Sequence, residues 1–235
     1  MSTLRQGRLS GIGVGPGDPE LLTLKGLRLL RSAAVVAYPA PEHGDSFARA
    51  IVVAWLDRGQ REIAIRFPMR PRPPPAEIYD DAARAIAAEL DAGNDVALLC
   101  QGDPLFYGSF IGVFIRLADC YPIEIVPGVS SLTACAAAAR TPLATRDEAL
   151  AVIPATLAEA ELTRRLGAAE SAAIVKLGRH LAKVRRVLER LGKLRDAIYI
   201  EHASLPNQRV GTLAAVAEAP YFSLVLVRRH ADGEG

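Results

Sequence analysis

The sequence predicts an α/β protein of two α/β domains, the first built on a mostly parallel sheet flanked by helices and the second on a mixed sheet. Three observations carry this. Short apolar runs alternate with longer runs of helical periodicity, the βαβα order of a parallel sheet covered by helices. The apolar runs show little period-2 alternation, as expected of strands buried on both sides. A second, shorter set of strands and helices follows Pro127-Gly128, which divides the chain into residues 1–127 and 128–235.

The elements of the first set are strands over 9–14, 33–38, 62–66, 96–100 and 123–126, with helices over 21–31, 46–57, 77–92 and 107–118 between them. The second set opens with an alanine-rich helix over 130–139, stopped by Pro142. It continues with a strand over 150–153, a helix over 158–168, a strand over 172–177, a helix over 180–191 and a strand over 197–200. A short helix over 212–218 and a last strand over 222–227 complete it.

At 235 residues and 50% hydrophobic content the chain can bury a substantial core. A net charge of +2 gives no bulk attraction to nucleic acid. Cys100, Cys120 and Cys135, with four histidines, show no metal-ligand spacing. There is no apolar signal core at the start and no uninterrupted apolar stretch long enough to span a bilayer, so a soluble cytoplasmic protein is expected.

Ligands of open α/β sheets bind beyond the carboxyl ends of strands, and three strands here end in distinctive loops. The first reads Gly11-Ile-Gly-Val-Gly-Pro-Gly-Asp-Pro-Glu before a leucine-rich helix. A glycine loop between strand and helix brings backbone close to a ligand. The dinucleotide fingerprint fails, because Pro16 or Asp18 stands where the third glycine belongs. No Gly-Lys-Ser/Thr of a phosphate loop precedes the helix, and Asp18 puts a negative charge where a pyrophosphate would sit. The second loop is Gln101-Gly-Asp-Pro-Leu-Phe-Tyr-Gly-Ser-Phe110 and the third Pro127-Gly-Val-Ser-Ser131. Asp103-Pro104 and Asp18-Pro19 are also capping signatures, and Ser130 and Ser131 are natural N-caps. Together the loops are expected to line a cleft between the two domains.

These three motifs, in this order and spacing, resemble the tetrapyrrole methylase family across almost the whole chain. The resemblance implies two α/β domains with a cleft between them, methyl transfer from S-adenosylmethionine, and a homodimer. Tyr107-Gly-Ser-Phe110, Phe67-Pro-Met69 and Tyr38-Pro39 are similar to the branch that methylates C20 in corrin synthesis, although Arg70-Pro-Arg-Pro-Pro-Pro75 departs from that branch's pattern. Carried over residue by residue, the cofactor contacts are Pro16, Gln101, Gly102, Asp103, Phe106, Ser130 and Ser131, with Leu177 and Ala203 from the second domain. A cationic sulfonium suits a crevice that tolerates a carboxylate. Methyl transfer by in-line displacement needs neither metal nor covalent nucleophile. Metal-free and cobalt-containing substrates both remain open.

A proton must leave the methylated carbon, and Tyr107, Glu201 and His202 are candidate bases. Arginines suit a carboxylate-rimmed macrocycle. The candidates are Arg66, Arg70 and Arg72 on the loop after the third strand, then Arg140, and Lys176 after a strand of the second domain. The weak net charge and the absence of an aromatic-basic patch disfavour RNA, and no membrane partner is expected.

Overall fold

In the computed structural model, residues 5–68 and 74–228 are described. The chain divides into two compact units, Met1–Ser130 and Ser131–Gly235.

The first unit holds β1 (Leu9–Gly13), α1 (Leu24–Ser32), β2 (Val35–Pro41), α2 (Phe47–Val52), β3 (Arg61–Phe67), α3 (Ala76–Asp91), β4 (Val96–Cys100), α4 (Phe110–Leu117) and β5 (Ile123–Val126). Its sheet has the order β3-β2-β4-β1-β5, and every pairing is parallel. Every residue of β1 and β4 is buried. Alternate residues serve two separate cores. Leu9, Val35, Ala37, Leu98 and Cys100 face α3 and α4, where they meet Ile86, Leu90, Phe110 and Val113. Ile12, Val36, Tyr38, Ala97 and Leu99 face the side of α1 and α2, against Leu30, Ala48 and Ile51. Both strand faces are thus apolar, which is why the sequence shows runs and not alternation.

Caps set the helix starts. Thr23 Oγ1 accepts from Gly26 N–H at 3.0 Å, so α1 begins at Leu24. Leu21 and Leu22 fall before it, Leu21 in a 3-10 turn (Pro19–Leu21) that Asp18 caps through Glu20 N–H at 2.8 Å. This shortens the helix expected over 21–31. The helix expected from 107 begins only at Phe110. Ser46 caps α2 through Arg49 N–H at 3.2 Å, and α2 gives way after Val52 to a 3-10 turn (Val53–Trp55).

From α2, the Arg49 guanidinium grips Glu62 on β3 with two bonds of 2.6 and 2.8 Å. Arg49 holds the Glu62 carboxyl well below the usual carboxylate range, at about 2. A depressed folded-state value means stabilisation that is complete above the ordinary value of 4.5 and lost as pH falls towards 2. Arg49→Met should therefore flatten the loss of stability over that window. Urea unfolding at a series of acid pH values checks this, and equal slopes for the two proteins would refute it.

The second unit holds α5 (Ser131–Ala139), β6 (Leu150–Pro154), α6 (Glu159–Ala168), β7 (Ser171–Val175), α7 (Leu181–Arg190), β8 (Ala197–Glu201), β9 (Arg209–Thr212) and β10 (Ser223–Arg228). The sheet order is β6-β7-β10-β8-β9. β6 and β7 pair in parallel and the other neighbours antiparallel, so the sheet is mixed. On α7, Leu181, Val184, Val187 and Leu188 form one apolar stripe, buried with Leu162 and Leu166 of α6 against Ile174, Tyr199 and Val225 of the sheet. Two expectations are corrected here. The helix expected over 212–218 is only a 3-10 turn, Leu213–Ala215, anchored by fully buried Leu213. β9 was not foreseen: all of its residues are exposed, so it has no apolar pattern to betray it.

Candidate active site

The order β3-β2-β4-β1-β5 contains a switch point. After β1 the chain passes to α1 on one face of the sheet, and after β4 it passes to α4 on the other. β1 and β4 are neighbours, so their outgoing loops leave to opposite faces at this point, which is where open α/β sheets bind ligands.

Backbone alone draws the strand tips together at this point. Val14 N–H bonds Cys100 O at 2.9 Å, continuing the β1–β4 ladder. Beyond it Gly15 and Gly102 form a reciprocal antiparallel bridge, with Gly102 N–H on Gly15 O at 2.8 Å and Gly15 N–H on Gly102 O at 3.4 Å. The tip of β5 closes on the same point. A Cβ added to Gly13 would lie 2.6 Å from both Gly102 O and Gly128 Cα. Three segments of the chain therefore meet where only glycine fits.

Asp103 ties this cluster. One carboxylate oxygen accepts from Leu105 N–H at 2.9 Å, the capping bond expected of Asp-Pro. The other accepts from Gly128 N–H at 3.1 Å, across to the β5 loop. Gly102 has φ +67, and a Cβ there would meet nothing within 4 Å, so its outer side is open. None of the residues in loops 14–23, 101–109 and 127–130 is Lys or Arg, while Asp18, Glu20 and Asp103 are acidic. Such a donor set suits a neutral or zwitterionic group bearing a cationic centre, and is wrong for a polyphosphate. It fits S-adenosylmethionine.

The structure thus gathers Gln101, Gly102 and Asp103 at this point, with Gly15, just before buried Pro16, bridged to Gly102. Phe106 packs edge-on against Tyr107 with ring centroids 4.9 Å apart, and Tyr107 is half exposed with a left-handed φ of 56. Ser130 ends the first unit and Ser131 begins α5. Gly13 and Gly128 were absent from the expected site residues, although the Pro127-Gly128 pair signalled a turn at the strand end.

In the second unit, Lys176 follows β7 and His202 follows β8, with left-handed φ values of 58 and 51. Both strands run antiparallel to β10, so these residues lie at the same end of the sheet. Leu177 is wholly buried within the core, and Ala203 is buried beside His202. Glu201 is buried as well, with both oxygens engaged by Tyr199 and Arg209. Of the basic residues, Arg66 donates to Pro41 O at 3.0 Å and, more weakly, to Glu42 O and Gly44 O, so it steadies the β2 loop. Arg140 is exposed beyond the end of α5, in a left-handed conformation with φ 50. Arg70 and Arg72 lie outside the described residues.

The family model for tetrapyrrole (corrin/porphyrin) methylases matches residues 8–217. A protein of Sinorhizobium sp. named precorrin-2 C(20)-methyltransferase is 43% identical over 238 residues, covering 97% of each chain. The Mycobacterium bovis cobalamin biosynthesis protein CobIJ is 45% identical over 233 residues, 94% of this chain but 46% of that protein, so the chain spans about half its length. Cobalt-precorrin-2 C(20)-methyltransferase of Salmonella typhimurium is 33% identical over 229 residues, covering 95% of this chain and 97% of that one. Among solved structures, uroporphyrin-III C-methyltransferase of Thermus thermophilus complexed with S-adenosyl homocysteine superposes with a TM-score of 0.69 at 27% identity, over 94% of this chain and 97% of that one. The chain belongs to the tetrapyrrole (corrin/porphyrin) methylase family.

Proposed function

We propose that this chain methylates C20 of precorrin-2 with S-adenosylmethionine, giving precorrin-3A in cobalamin biosynthesis. The observation that carries the reading is the end-to-end likeness, 43% over 97% of both chains, to a protein named for that step. The lower identity to the cobalt-precorrin-2 enzyme, 33%, makes the cobalt complex the second choice of substrate.

The cofactor would be held by Pro16, Gln101, Gly102, Asp103, Phe106, Ser130 and Ser131, with Leu177 and Ala203 of the second unit. When bound, it supplies an electrophilic methyl on a cationic sulfur. The chain's part is positioning. The bridged strand tips form a rigid backbone surface, and holding donor and acceptor in line is worth up to ~7–11 kcal/mol of the barrier. Lys176 and Arg140, with Arg70 and Arg72, are proposed to face the carboxylates of the macrocycle. Tyr107 and His202 are the proposed acceptors for the C20 proton, since the oxygens of Glu201 are already engaged. The same reading carries a homodimer in the cytoplasm.

Anaerobic incubation with methyl-13C cofactor and precorrin-2 tests it. One labelled methyl on C20, located by NMR, is expected. Label appearing only when the cobalt complex is supplied would move the assignment to that substrate. Tight pigment binding with no label on either would make the chain a carrier.

A further inference from the structure

Glu201 ends β8 with 6% of its surface exposed, a costly place for a carboxylate unless its oxygens are satisfied. They are. The hydroxyl of fully buried Tyr199 donates to one, and Arg209 Nη1 donates to the other at 2.9 Å. Arg209 is the residue directly opposite Glu201 in the β8–β9 register. Its side chain is 72% exposed and the other residues of β9 are exposed too, so no buried apolar face holds this strand in place. Backbone pairing with β8 and this ion pair help to do so.

The loop 202–208 leaves the chain at Glu201 and returns at Arg209, so one buried carboxylate closes its base. Inside the loop, His202 and Ser204 adopt left-handed φ values of 51 and 69. For non-glycine residues such conformations are strained and persist only where the surroundings over-determine them. Here His202 N–H bonds Phe222 O at 2.9 Å, Leu205 N–H bonds His202 O at 2.9 Å, and Ser204 N–H bonds the Gln208 side chain at 2.8 Å. Ala203 sits between the two strained residues.

We infer that Glu201 is a positioning residue: it latches loop 202–208 through Arg209 and Tyr199, and thereby holds Ala203 and its strained neighbours in the shape that binds the cofactor. The functional half of this rests on the methyltransferase reading. The latch itself does not.

The test uses the full chain and the variants Arg209→Met, Glu201→Gln and the double variant. Hydrogen exchange of the loop 202–208 amides is followed without substrate. Affinity for S-adenosylhomocysteine and the pH profile of kcat are measured alongside. Each single variant should raise loop exchange and weaken binding by a factor of about 10, the scale of one hydrogen bond to a charged group. The double variant should be no worse than the worse single one, because Arg209→Met removes the ion pair and Glu201→Gln takes the charge out of the same pair. The shape of the kcat–pH profile should not change. Unchanged exchange and affinity in Arg209→Met would overturn the latch. Loss of turnover in Glu201→Gln with an undisturbed loop would instead make Glu201 the base. If Glu201→Gln fails to fold, Arg209→Met decides alone, since its side chain lies largely in solvent. If the wild type methylates nothing at C20, the function reading fails while the exchange data still decide the latch.

Discussion

Gly128→Ala is expected to destabilise the first unit by ~1–3 kcal/mol or more, the cost of forcing an extra methyl into a packed site. The added Cβ would lie 2.1 Å from Gly102 O, 2.7 Å from Gly13 Cα and 2.8 Å from Gly13 C. All three are backbone atoms, so no rotamer change relieves the clash. Either β1 and β4 spread, at the expense of the Gly15–Gly102 bridge, or the β5 loop retreats and strands Gly128 N–H away from Asp103. Each route opens the surface proposed to take the cofactor. Thermal melting should shift by roughly 2–4 °C per kcal/mol for a chain of this size. Affinity for S-adenosylhomocysteine should fall at least ~10-fold, as expected when ~1.4 kcal/mol or more of binding is lost. Gly211→Ala is the control, since a Cβ there meets nothing within 4 Å and should move stability by no more than ~0.5 kcal/mol. Wild-type melting and affinity in Gly128→Ala would show that the three tips do not pack as described.

This packing also marks the limit of what could be read from residues alone. Strands buried on both faces announce themselves as apolar runs, and β1, β4, β7 and β10 did so. β9 did not, because Arg209-Val-Gly-Thr212 has no buried residue and is placed by its pairing with β8 and the Glu201 ion pair. The first loop's leucines follow a helical spacing, yet α1 starts only after Thr23, since the cap and Pro19 decide the first turn. At the site, glycine loops at strand ends were legible as close-approach backbone. That Gly13, Gly102 and Gly128 approach one another was not, because the switch between β1 and β4 is a property of strand order and not of any segment. Glu201 stood as a candidate base for the same reason: its partner Arg209 is placed by a strand with no pattern of its own.

Asp103 shows the same division within one side chain, and its variants separate three roles. Its local bond, to Leu105 N–H, is what Asp-Pro predicts, whereas its bond to Gly128 N–H spans two loops. Asp103→Ala should leave the partly buried Gly128 N–H without an acceptor, a cost of ~1–3 kcal/mol, and weaken the cofactor site with it. Asp103→Asn is the more telling change. Asparagine caps as well as aspartate, so a purely local role predicts wild-type behaviour. As a cross-loop clamp, however, the side chain must accept from two N–H groups at once. Asparagine has one oxygen and would turn an NH2 donor towards the second N–H. The clamp therefore predicts that Asp103→Asn resembles Asp103→Ala in melting temperature and in affinity for S-adenosylhomocysteine. An electrostatic role towards the sulfonium predicts a third pattern: unchanged melting, unchanged affinity for uncharged-sulfur S-adenosylhomocysteine, and weaker binding of S-adenosylmethionine alone. Calorimetry with the two ligands, beside a thermal melt, distinguishes the three. The clamp is rejected if Asp103→Asn melts with the wild type, whichever ligand it then prefers.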